Sequence, residues 1–212
     1  MKTSTSQLIK RLSVYMLGIY LTAVAIAISK MTPLGISPNS SLPNEISLIL
    51  DANLGLVTSI VFASFVFIQW LLLGKDFKII NFVQVLLAII YGVFVNSAVA
   101  LVNYILPPCD TYPLQIIYTI LSAFLLGAAI KIYMTPKLMA LPAEGLAQAV
   151  AQRFKVPFPT AKNICDITIV TISIILSLAY LVGRSVKWSG KLFGEQLDKF
   201  IWKDSIESPV SE

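Results

Sequence analysis

Five stretches of this chain carry no charged residue, and each is long enough to cross a lipid bilayer. They run over 12–29, 52–74, 79–109, 111–130 and 167–183. A spanning helix needs about 20 apolar residues, with a working range of roughly 17–25. The chain is 57% hydrophobic and 13% charged, where a soluble domain carries about 25% charged residues. Its mean hydropathy is +0.81. These features define an all-α integral membrane protein whose first partner is the lipid bilayer. The first stretch reads as a retained membrane helix: its apolar run is longer than a signal peptide's core, and no convincing small-residue cleavage site precedes Lys30.

The pattern predicts transmembrane helices at about 12–30, 54–74, 79–106, 113–133 and 158–183. Two further apolar segments, about 43–52 and 142–153, are too short to span and are expected to be re-entrant or interfacial helices. Lys and Arg set the orientation. Lys2, Lys10 and Arg11 lie in the N-terminal tail, Lys75 and Lys78 in the second loop, and Lys131, Lys137, Arg153 and Lys155 after the fourth helix. The intervening loops have only Lys30, so the N-terminus is expected in the cytoplasm. Five crossings would place Arg184, Lys187, Lys191, Lys199 and Lys203 outside, against the same rule. The segment 188–203, bracketed by Trp188 and Trp202, carries Leu192, Phe193, Leu197, Phe200 and Ile201 on one helical face. It reads as an amphipathic interfacial helix or a degenerate sixth span. Residues 204–212 are expected to form a disordered tail.

Two loops carry near-copies of one segment. Met31-Thr32-Pro33 precedes Leu42-Pro43-Asn44-Glu45, and Met134-Thr135-Pro136 precedes Leu141-Pro142-Ala143-Glu144. Three predicted helices separate the copies, which places them on opposite membrane faces and gives the chain an inverted-repeat character. The expected organisation is a cytoplasmic tail over 1–11, a first repeat over 12–106, a second and inverted repeat over 107–183, and the amphipathic helix with its tail over 184–212. Each proline suits the first position of a short helix, where its missing N–H costs nothing. Glu45 and Glu144 then have two readings. They are first-turn acids on surface helices, or groups at half-helix ends that enter the bilayer and bind a solute, a cation or a proton.

Lys162 and Asp166 are spaced i, i+4 inside the fifth predicted helix, with Asn163 beside them. Charges at bilayer depth cost roughly 2.5–3.5 kcal/mol each and are usually paired and turned inward. One helix face carries both, so they can neutralise each other as a structural pair or as part of a substrate or ion pathway. Gln69, Gln84, Asn96 and Asn103 are expected to hydrogen-bond between helices, with Asn96 the best placed of them to face a cavity. Gly18, Gly92 and Gly127 are expected at close helix contacts. The candidate site is therefore Lys162, Asp166, Glu45, Glu144, Asn96 and Asn163.

Other chemistries find no support in the residues. There is no histidine, which removes the commonest metal ligand and general base. Phosphate loops, dinucleotide fingerprints and zinc spacings do not occur. The net charge of +5 comes from helix ends and answers to membrane topology and anionic lipid rather than nucleic acid. The expectation is no enzyme, no cofactor and no metal.

The run Thr32-Pro33-Leu34-Gly35-Ile36-Ser37-Pro38-Asn39-Ser40-Ser41-Leu42-Pro43, followed by Gly55, resembles the bacterial YczE/YyaS/YitT-type membrane proteins. Lys75-Asp76-Phe77-Lys78, Gln84, Leu141 to Gly145 and the Lys162/Asp166 pair add to the match. The resemblance spans about residues 10–183 and implies a bacterial cytoplasmic (inner) membrane protein of about five helices, with no settled activity. The chain departs from that pattern after about Gly183, where a charged stretch replaces a further apolar segment. Together these readings point to a small-solute or ion transporter with a site near the midplane. The alternative is a non-transporting protein that binds or stabilises another membrane protein, or itself as a homo-oligomer.

Overall fold

The computed structural model describes residues 5–206, with side chains described for 6–182, 184 and 191. Among these residues every regular element is helical: α1 (Thr5–Lys30), α2 (Pro38–Leu50), α3 (Leu54–Leu73), α4 (Val83–Ile105), α5 (Tyr112–Met134), α6 (Pro142–Phe154) and α7 (Phe158–Ile206). Five of them are long and apolar enough to cross a membrane: Ser6–Lys30, Leu54–Asp76, Ile79–Ile105, Tyr112–Met134 and Phe158–Val182. This is a multi-pass architecture, with α2 and α6 as the two short helices.

The spans are largely apolar, and their inner faces mix small, aromatic and polar side chains. On α1, Tyr15, Ile19, Ala23 and Ile26 are buried at helical spacing; on α4, Ala88, Tyr91, Val95, Ala98 and Val102 are. Leu56, Ile60, Phe67 and Leu71 of α3 remain exposed on the other side, as a lipid-facing surface requires. Small residues bring helices together. A Cβ on Gly18 would strike the Tyr133 backbone, and one on Gly92 would strike Ser59 and the Gly55 carbonyl. Gly127 differs from expectation: open space surrounds it, so it packs nothing closely.

α1 and α5 run antiparallel. Arg11 donates to the Pro136 carbonyl and Tyr15 Oη to the Met139 carbonyl at 2.8 Å. The Thr32 and Thr119 hydroxyls meet at 3.3 Å at the opposite end. The loop after α1 and the loop after α5 therefore leave from opposite ends of the bundle.

Four boundaries differ from the sequence reading: α1 begins at Thr5 rather than 12, α7 continues to Ile206 rather than ending at 183, and the starts of α4 and α2 shift. α4 begins at Val83 rather than 79, because Phe77 and Lys78 are extended and Ile79–Phe82 forms a separate 3-10 turn. α2 begins at Pro38 rather than 43. Two prolines compete for its first turn: Pro38 takes that place, with Ser37 extended before it, and Pro43 falls inside the helix. Pro43 brings no N–H, so it cannot supply the helical hydrogen bond to the Asn39 carbonyl.

The chain divides into two units, Met1–Ser173 and Ile174–Glu212. The first contains α1 to α6 and the start of α7. In the second the backbone is helical to Ile206, and Arg184 Nη1 donates to Tyr180 Oη at 3.4 Å. The side chains of the predicted amphipathic face over 188–203, and residues 207–212 of the predicted tail, lie outside the described residues.

Candidate functional site

α2 and α6 share one backbone frame. Each is 13 residues long and has proline in its first turn. Each ends on a non-glycine residue in the left-handed conformation, Asp51 at φ 49° and Lys155 at φ 55°. That residue closes the helix through its N–H, bonded to the Ser47 and Ala151 carbonyls respectively. Pro38, Leu50, Asp51 and Leu54 of the first half match Pro142, Phe154, Lys155 and Phe158 of the second at one constant offset. In this frame the counterpart of Glu144 is Ser40, not Glu45. The two Leu-Pro-x-Glu copies are out of structural register.

The N-terminal ends of α2 and α6 meet. Asn39 Nδ2 donates to Glu144 Oε1 at 3.3 Å, although the preceding loops start from opposite ends of the bundle. Both short helices thus turn back toward the interior. α6 is held there from the side by α3: Gln69 Nε2 donates to Gln84 Oε1 at 3.0 Å and to the Pro142 carbonyl at 3.1 Å. Gly145 lies against both amide side chains, where a Cβ would not fit. Gln69 and Gln84 are interhelical, as expected, and also seat the end of α6.

α7 completes the cluster. Lys162 forms an ion pair with Asp166 one turn along and donates to Asn39 Oδ1 at 3.1 Å. Asn39 therefore bridges the ammonium and the Glu144 carboxyl. A cavity of about 240 Å³ is lined by Thr22, Asn39, Ser40, Phe62, Tyr91, Tyr133, Glu144, Lys162 and Asp166, among others. Phe62 and Tyr91 lie near the middle of α3 and α4, which puts the cavity at mid-depth. Glu144 is only 7% exposed. Its Oε2 is buried without a hydrogen-bond partner, and so is the Tyr133 hydroxyl. Burial pushes the Glu144 carboxyl above the ordinary carboxylate range, while nearby Lys162 pulls it back.

A second cavity, of about 420 Å³, adjoins the first and shares Ile26, Ser37, Pro38 and Leu126 with it. Its polar lining is hydroxylic: Ser29, Ser37, Thr119 and Ser122. It lies toward the Thr32–Thr119 end of α1. At the other end, Arg11 and Tyr15 tie down the loop before α6.

Three of the six candidate residues, Glu144, Lys162 and Asp166, share the central cavity. The other three lie elsewhere. Glu45 lines a separate groove with Ser29, Lys30, Thr32 and Asn44, because α2 starts five residues earlier than its motif implied. Asn96 Oδ1 accepts the Gly55 N–H at 2.9 Å and serves the start of α3. Asn163 is exposed on α7. Asn39 and Tyr133 were not anticipated. Ser37-Pro38 is itself a helix-start signal and, read as one, places Asn39 beside the end of α2. Tyr133, near a helix end, reads from sequence as an interfacial aromatic. Among the described residues, no three His, Cys, Asp or Glu side chains gather as metal ligands.

The family model for a family of unknown function, DUF6198, matches residues 9–188. The chain belongs to that family. No curated protein and no solved structure matches it. The match covers α1 to α6 and the spanning part of α7, so the central cavity belongs to the family's shared region rather than to a chain-specific extension.

Proposed function

We propose that this chain is a small-solute or ion transporter of the bacterial cytoplasmic membrane, with its N-terminus inside and its site in the central cavity. One observation carries the reading: two half-helices that enter from opposite ends meet, through Asn39 and Glu144, at a buried cavity holding Lys162 and Asp166. Half-helices aim their N-terminal N–H groups and positive dipole ends at such a point. Discontinuous helices of this kind form the midplane sites of many carriers. The positive-inside pattern and the resemblance to the YczE/YyaS/YitT-type proteins support the orientation and location.

The constant offset between α2 and α6 supports an inverted repeat, with 12–106 and 107–183 as its halves. Carried onward, the same offset sets α4 against the C-terminal part of α7, where charged residues stand in place of a sixth apolar span. The hydroxyl-lined cavity is the route from the outer face, and the Arg11 and Tyr15 contacts close the inner one. The reading involves no enzymatic step and no cofactor.

Purified protein in liposomes, assayed with alkali cations and a panel of small labelled metabolites, tests this reading. Uptake of one class above empty liposomes, lost in Lys162→Met, is the expected result. Absence of uptake for every class overturns it. Recovery of one stoichiometric membrane partner, lost on deleting 188–212, would then establish the partner role instead.

A further inference from the structure

We propose that Glu144 is a proton-binding site, holding one proton on its unpartnered oxygen inside the central cavity. On the transport reading above, this makes solute movement proton-coupled. The binding itself is measurable without any transport.

Among the described residues lining the cavity, the charged side chains are Glu144, Asp166 and Lys162. Two acids face one base. Lys162 is already committed to Asp166 and Asn39, so it does not form the close pair that a buried carboxylate needs. The dipole ends of α2 and α6 amount to about half an elementary charge each, and a proton on one acid neutralises the cavity without drawing on them.

Geometry decides which acid carries it. The Asp166 side chain is 25% exposed and contacts the ammonium directly. Glu144 is far more buried, and its Oε1 is served by Asn39 while Oε2 has nothing. An ionised carboxylate with an orphaned buried oxygen is costly. A proton on Oε2 removes the charge and turns that atom into a donor. The Tyr133 hydroxyl has no hydrogen bond of normal geometry but is near enough to interact with this carboxyl, and it can accept from Oε2 once that oxygen is protonated.

The groups that face Glu144 from α1 to α5 are uncharged. α1 contributes the Tyr15 phenol, α4 the Tyr91 phenol and α5 the Tyr133 phenol. α2 contributes the neutral Asn39, and α3 contributes Phe62 and the Gln69 amide. Only α7 brings charge, as the Lys162–Asp166 pair. The hydroxyl-lined cavity beside the site, with Ser29, Ser37, Thr119 and Ser122, offers a polar path by which a proton reaches it.

Infrared difference spectroscopy of the full-length protein in lipid, titrated with acid and base, tests the proposal. The expected result is a protonated-carboxyl C=O band at neutral pH that shifts in heavy water. Glu144→Gln should remove it and Asp166→Asn should leave it. Tyr133→Phe, which keeps the carboxyl, should shift the band without removing it. That variant keeps the test decisive should Glu144→Gln not fold. No such band in folded protein at neutral pH overturns the proposal, as does a band that survives in folded Glu144→Gln. A band abolished by sodium chloride but not by choline chloride, at constant pH, assigns the neutralising charge to a metal ion and also overturns it. A titrating Glu144 band without uptake of any solute supports the proton site and counts against transport.

Discussion

α2 and α6 have the same length, the same proline start and the same left-handed exit, yet they are held very differently. α6 buries Pro142, Ala143, Glu144, Gly145, Leu146, Ala147 and Ala149 in nearly continuous sequence, whereas α2 buries only Ser40, Pro43 and Ser47. Alanine and glycine let α6 lie flat against α3, where Gln69 grips its first carbonyl. The start of α2 is held through its own side chains: Asn39 bonds to Glu144 and Lys162, and Ser41 reaches Ser173 at 3.0 Å. One backbone frame thus serves two purposes: a buried wall carrying the acid, and a less buried element carrying neutral polar groups.

The largest test of that contrast is steric. Gly145→Val should cost about 1–3 kcal/mol, because its side chain collides with two hydrogen-bonded amides. Ser41→Val, at the matching position of α2, should leave the melting temperature nearly unchanged. Equal effects of the two would erase the proposed difference. Next is the clamp itself. Gln69→Leu removes the donor to both the Gln84 amide and the Pro142 carbonyl, and should cost about 1–3 kcal/mol. Thermal unfolding in detergent reads both effects.

Smaller, but more specific, is the response to pH. Burial holds the folded-state Glu144 carboxyl above its ordinary value of 4.5. Between that value and the raised one, the folded protein binds more protons than the unfolded chain. Stability therefore falls as pH rises through this window. Glu144→Gln should flatten that part of the profile. The mildest test is chemical access, made after Cys109 and Cys165, both free thiols, are replaced by serine. Glu45→Cys should react with a water-soluble maleimide faster than Glu144→Cys, since Glu45 is half-buried beside an outer groove. Equal rates would place both short helices at the surface.

The crossing helices were largely legible because each is specified by its own run of residues. Boundaries at Leu54, Tyr112 and Phe158 lie within a residue or so of those expected. The Lys162–Asp166 pair was also legible, since i, i+4 spacing places both side chains on one face wherever the helix is put. The Leu-Pro-x-Glu copies misled in one respect. They marked the two short helices correctly, but their sequence register differs from their structural register, and Glu45 was set beside Glu144 on that account. A proline can open a helix or sit within one, and local sequence alone did not choose between Pro38 and Pro43.

What the sequence by itself determined is the number of crossings, the presence of two short helices between them and the pairing of the charges within α7. These follow from requirements that act locally: apolar length against bilayer thickness, charge against depth, and the spacing of a helical turn. Only the tertiary structure decided which polar groups share the interior. Asn39, Tyr133, Glu144 and Lys162 come from four different helices, and no local rule relates them. Their meeting depends on how closely α6 packs against α3 and how far α2 turns inward, and both are set by packing among all the helices at once.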